Sequence, residues 1–102
     1  MRVEVVGAGV AGLTAAFELA RLGVEVELVE RCMQAGQGCS RFAGGMIAPW
    51  CELQSAEPLV AELGAEALEF WVRDIPVAAT RGSLVVVPAK ERPELIDFSR
   101  RT

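Results

Sequence analysis

Two short runs of β-branched residues, 2–6 and 25–29, flank a stretch whose apolar positions recur at helical spacing. Leu13, Ala16, Phe17, Leu19 and Ala20 form a stretch of helical period, which predicts a helix over 10–22 with Gly23 as its C′ residue. The pattern is therefore strand, helix, strand. Within the strands Glu4, Glu25 and Glu27 alternate with valines, whereas parallel strands buried on both faces read as continuous apolar runs. One face of this sheet is expected to be wet, or covered by a partner outside the unit.

Beyond residue 30 the pattern changes. Residues 31–55 are rich in Gly and Ala and have no period, yet include Phe42, Met46, Ile47 and Trp50; a loop of that length is expected to be functional. Ser55 reads as an N-cap with Pro58 in the first turn. Leu59, Val60, Leu63, Ala67, Phe70 and Trp71 predict a helix to about residue 73. Gly64 is expected to split it into two shorter helices, and Phe70 and Trp71 to face a core. Residues 77–80 and 83–87, joined at Arg81-Gly82, predict two short antiparallel strands. Residues 93–101 read as a polar helix in which Arg100 and Arg101 are interspersed with Glu94 and Asp97, a solvated face.

The turn between the first strand and helix is Gly7-Ala8-Gly9-Val10-Ala11-Gly12. Alone, G-x-G-x-x-G is weak; here a strand precedes it, a helix follows, and a second strand ends on Glu30, 18 residues after Gly12. That is the dinucleotide-binding βαβ fingerprint. Gly7 allows a sharp turn out of the strand, Gly9 a close approach of backbone to a pyrophosphate, and Gly12 close packing of helix on sheet. The helix N-terminus points free N–H groups and its positive dipole end at the phosphates. Glu30 stands where a carboxylate accepts both ribose hydroxyls, and its charge repels a 2′-phosphate, which argues against NADP. Ala43-Gly44-Gly45-Met46 is either backbone suited to lying against a flat ligand or a flexible glycine loop.

The chain has 102 residues, is 52% hydrophobic, and carries 10 basic against 14 acidic residues, a net charge of −4. This balance gives no electrostatic footprint for nucleic acid or an anionic membrane. Arg2 before an apolar run resembles a signal peptide, but Glu4, Glu18 and three glycines interrupt it, so it reads as strand and helix. Cys32, Cys39 and Cys51 are odd in number and lack C-x-x-C spacing, which fits a reducing, cytoplasmic location. Without His or Tyr, no Ser-His, Cys-His or Tyr-Lys machinery can be assembled and a zinc site would need unusual ligands. No catalytic residue and no metal ligand is assigned; chemistry is expected to come from a cofactor.

The glycine motif, Glu30-Arg31, and the run from Cys39 through Ser40, Arg41 and Phe42 to Ala43-Gly44-Gly45-Met46-Ile47-Ala48-Pro49-Trp50 resemble the FAD-dependent D-amino-acid oxidase family, within it the glycine oxidase (ThiO) branch of thiamin thiazole biosynthesis. The resemblance covers the whole chain, Arg81-Gly82-Ser83-Leu84-Val85-Val86 included. It implies FAD as cofactor, with Gly7, Gly9 and Gly12 shaping the turn, Val10 and Ala11 offering N–H groups to the pyrophosphate, and Glu30 with Arg31 flanking the adenosine ribose. It places Cys39 and Ser40 near the diphosphate and ribityl chain, Ala43, Gly44 and Gly45 beside the isoalloxazine, and Met46 near the flavin face toward the substrate. Cys39 departs from the pattern, since a thiol is a poorer donor than the family's usual hydroxyl. The implied reaction oxidises the CH–NH2 group of a small amino acid or amine to an imine by hydride transfer, with dioxygen as final electron acceptor and hydrogen peroxide as product.

The fold class expected is α/β: the N-terminal portion of a Rossmann-like βαβ FAD/NAD(P)-binding domain over 1–74, then the start of an antiparallel substrate-domain excursion over 75–102. Family members are usually more than three times this length, so the chain reads as the N-terminal part of an oxidase, truncated or half of a split protein. Its expected partners are the amino acid, dioxygen, and the missing C-terminal polypeptide or further copies of itself. Two alternatives stand beside this reading: an NAD-binding half-domain of a dehydrogenase, and a non-catalytic fragment that binds nothing alone.

Overall fold

The computed structural model describes residues 1–53 and 55–102, so Gln54 of the long loop lies outside the described residues. The chain divides into two compact units, Met1–Gly45 and Met46–Thr102.

In the first unit β1 (Arg2–Val6) and β2 (Glu25–Val29) form a parallel two-stranded sheet joined by α1 (Val10–Arg21). The register pairs Arg2 with Glu25, Val3 with Val26, Glu4 with Glu27, Val5 with Leu28 and Val6 with Val29. Because side chains alternate across a strand, Val3, Val5, Val26 and Leu28 share one face, and Val5 turns toward α1 at Gly12. The other face carries Arg2, Glu4, Glu25 and Glu27, with Arg2 ion-paired to both Glu25 and Glu27. These pairs are exposed, a class that contributes little to stability. The alternating glutamates thus occupy an exposed sheet face.

α1 closes in a Schellman motif. Gly23 has φ +78°, its N–H donates to the Ala20 carbonyl at 3.0 Å, and the Val24 N–H donates to the Leu19 carbonyl at 3.1 Å. Only a residue tolerant of the left-handed region satisfies the last carbonyls in this way. The helix ends at Arg21, with Leu22 as its C-cap, one residue short of the expected end. Residues Cys39–Phe42 form a 3-10 turn inside the expected long loop.

In the second unit a single turn, α2 (Pro49–Glu52), packs on α3 (Pro58–Asp74). The sequence places the N-cap of α3 at Ser55, but Glu57 holds that position, in extended conformation, with Pro58 just inside the helix. Nor does Gly64 split α3. The helix runs through it because Gly64 is a packing notch: a Cβ there would overlap the Pro49 ring, and Pro49 is buried. Phe70 and Trp71 meet edge to face, ring centroids 6.0 Å apart, and both are half-buried. α4 (Arg92–Arg101) follows a 3-10 turn at Ala89–Glu91.

The two antiparallel strands expected at 77–80 and 83–87 are absent: none of those residues is in a strand. Gly82 adopts a turn conformation with φ +72°, yet Leu84 is 88% exposed. A lone hairpin is marginal without a third strand or a packed layer to cover its apolar side. Among the described residues only Ala8 and Pro49 are buried, and no helix is long and apolar enough to cross a membrane.

Candidate functional site

The site grows out of the junction between β1 and α1. Gly7 continues the ladder, donating its N–H to the Val29 carbonyl at 2.7 Å, then turns the chain with φ +102°. An L-residue with a side chain rarely adopts that conformation. Ala8 follows, 1% exposed, with both backbone groups satisfied. Its N–H donates to Glu30 Oε2 at 2.7 Å and its carbonyl accepts the Gly36 N–H at 2.8 Å. Gly9 is the N-cap of α1, with φ −77°, open to any residue. A Cβ there would stand 3.0 Å from Ser40 Oγ, so any larger residue would press on the side chain that accepts from Val10. Gly12, in the first turn, has no room: a Cβ would clash with the Gly7 carbonyl oxygen.

The first bond of α1 runs from the Leu13 N–H to the Gly9 carbonyl at 2.9 Å, so the N–H groups of Val10, Ala11 and Gly12 have no acceptor within the helix. Val10 donates instead to Ser40 Oγ at 2.9 Å. Ser40 thus reaches across 30 residues to the place where a helix N-terminus receives an anion.

Glu30 sits just past the end of β2. Besides Ala8, it accepts the Cys32 N–H on Oε1 at 2.9 Å. These bonds, Cys32 first and Ala8 second, hold its carboxyl below the ordinary glutamate range, because each stabilises the charged form. The Cys32 thiol and the Arg31 backbone N–H add smaller contributions of the same sign. Arg31 is exposed, as are Cys39, Ala43, Gly44 and Gly45. Met46 is exposed too and belongs to the second unit, so the structure describes it apart from the others.

Gly7, Gly9, Val10, Gly12, Glu30 and Ser40 are therefore brought together around one turn. Sequence reasoning missed Ala8, the residue they enclose, and Gly36, whose φ of +76° lets the loop return to it. A glycine inside the aperiodic stretch was the available signal. The arrangement fits the phosphate end of a dinucleotide: a turn without side chains at Gly7 and Gly9, helix N–H groups at Ala11 and Gly12, and a carboxylate at Glu30 beside the turn.

Residues 2–101 match the model of a protein family described as FAD dependent oxidoreductase. The chain belongs to that family. Over the whole chain it is 52% identical to a thiamine biosynthesis oxidoreductase, ThiO, of Rhizobium etli, of which it covers 32%. It is 52% identical over 47% of its length to a glycine oxidase of Pseudomonas aeruginosa, covering 13% of that protein. A thiamine thiazole synthase of Methanococcus aeolicus matches 66% of the chain at 40% identity, with 25% of that protein covered. The chain thus spans about a third or less of these relatives. No solved structure matches it. The family is FAD-dependent, and the residues of the turn are compatible with that cofactor.

Proposed function

We propose that this chain contributes the ADP-binding part of an FAD-dependent oxidoreductase that acts on the CH–NH2 group of a small amino acid, as a glycine oxidase does. The observation that carries the reading is the turn around Ala8, where Glu30, Gly36 and Ser40 converge on a glycine-lined helix N-terminus. In this reading the N–H groups of Ala11 and Gly12 bind the pyrophosphate, with Val10 and Ser40 beside them. Glu30 accepts the adenosine ribose hydroxyls, flanked by Arg31. Cys39 lies toward the ribityl chain, Ala43, Gly44 and Gly45 follow the isoalloxazine, and Met46 faces the substrate.

When bound, FAD supplies the two-electron acceptor for the amine and the route to dioxygen; the protein binds, orients and shields. Residues 1–74 belong to the FAD-binding domain, and 75–102 begin the excursion toward a substrate-binding domain. A further polypeptide or a second copy of the chain completes the substrate side, and the protein works in the cytoplasm. Support comes from the family match and from the ThiO and glycine oxidase relatives.

Titration of the chain with ADP and with FAD, by calorimetry and by the flavin band near about 450 nm, tests the reading. Saturable binding of both, with FAD preferred over NADH, is expected. Preference for NADH, or no binding of ADP, overturns it.

A further inference from the structure

Glu30 contacts the glycine turn directly. Its two oxygens hold two separate backbone segments, Ala8 in the turn and Cys32 in the loop that follows β2. The same loop returns through Gly36 to the Ala8 carbonyl, so Ala8 is fixed from both sides. The Ala8 N–H is buried, and an N–H in that position that loses its acceptor has no water to replace it. From this we propose that Glu30 is a positioning residue: it braces the glycine turn and thereby shapes the phosphate cradle, independently of any contact it makes to the ribose. The proposal rests on the ADP-binding reading above.

A ribose contact and a brace make opposite predictions for a nucleotide that has no ribose hydroxyls. The probe is 2′,3′-dideoxy-ADP, with ADP alongside. If Glu30 touched only the ribose, Glu30→Gln would leave dideoxy-ADP binding unchanged, or strengthen it by removing a negative charge near the phosphates. As a brace, the glutamine amide presents one donor where two N–H groups need acceptors. The Ala8 turn then loosens, and dideoxy-ADP binds roughly threefold to tenfold more weakly. Glu30→Asp keeps the charge but is one methylene too short to reach both N–H groups, and is expected to show the same loss.

A second readout needs no ligand. In ¹⁵N spectra of the whole chain, the Ala8 and Cys32 amides should titrate together with one carboxyl group, below the ordinary glutamate range, while the Gly36 amide shifts with them. The Cys32 thiol also faces this carboxylate, and Arg31 is its neighbour in the chain. Cys32→Ser keeps the backbone donor and removes the thiol, so the joint titration should survive it. Equal dideoxy-ADP affinity in wild type, Glu30→Gln and Glu30→Asp overturns the proposal, as do Ala8 and Cys32 amides that titrate separately or not at all. A wild-type chain that binds neither ADP nor FAD overturns the nucleotide reading instead, and the amide titration then decides the brace by itself.

Discussion

Gly12→Ala sets two known effects against each other. Gly12 lies inside α1, where alanine is favoured over glycine by about 1 kcal/mol of helix propensity. The opposing effect is steric. The new Cβ would overlap the Gly7 carbonyl oxygen, stand 3.0 Å from the Gly7 carbonyl carbon, and reach 3.6 Å from Val5 Cγ1. The obstruction is backbone, so no rotamer change relieves it. Either α1 lifts off the strand or the turn at Gly7 shifts, and that turn is tied by the 2.7 Å bond from Gly7 to Val29. Overpacking of this kind costs about 1–3 kcal/mol, occasionally more. With backbone as the neighbour the upper part of that range applies, so the net expectation is a loss of about 1–2 kcal/mol. Urea unfolding followed by circular dichroism measures it, with Gly44→Ala as the control, since nothing lies within 4 Å of a Cβ there and surface changes of that kind stay within about 0.5 kcal/mol. If Gly12→Ala matched or exceeded wild type in midpoint, the close packing of helix on turn would be wrong.

Gly9→Val should abolish FAD binding, because its branch enters the space between the turn and Ser40 Oγ; unchanged flavin titration would refute this. Ser40→Ala removes the acceptor of the Val10 N–H and should lower stability by about 0.5–1.5 kcal/mol, read in the same urea assay, where no change would show the bond to be replaced by water. The contribution of Glu30 follows the sign for a carboxyl whose folded value is lowered. It is complete above its ordinary value of 4.5 and is lost as pH falls through the lowered folded value. Wild type should therefore lose stability with acid more steeply in that window than Glu30→Gln, and parallel pH profiles of the two unfolding midpoints would refute the assignment.

What the residues alone determined is the βαβ unit. Helical spacing from Leu13 to Ala20, valine runs on either side, Gly7 and Gly23 where positive φ is needed, and Glu30 at the strand end are all local signals. Each acts within a few residues of itself, and the structure realises them within a residue of the expected bounds. The exposed charged face carrying Glu4, Glu25 and Glu27 was legible for the same reason. Tertiary structure decided the rest. Whether Gly64 breaks a helix or admits a neighbour depends on Pro49, 15 residues away. Strand formation at 77–80 and 83–87 depends on layers that β-propensity does not contain, since a strand's bonds are made to another segment. Most of all, Glu30 could be assigned an acceptor's role from its place in the motif, but not its partners. That it holds Ala8 and Cys32, and that Ser40 reaches Val10 across 30 residues, follows from how the loop after β2 folds back over the turn. Backbone donors carry no side-chain signature, so only the folded chain shows which acceptor each one meets.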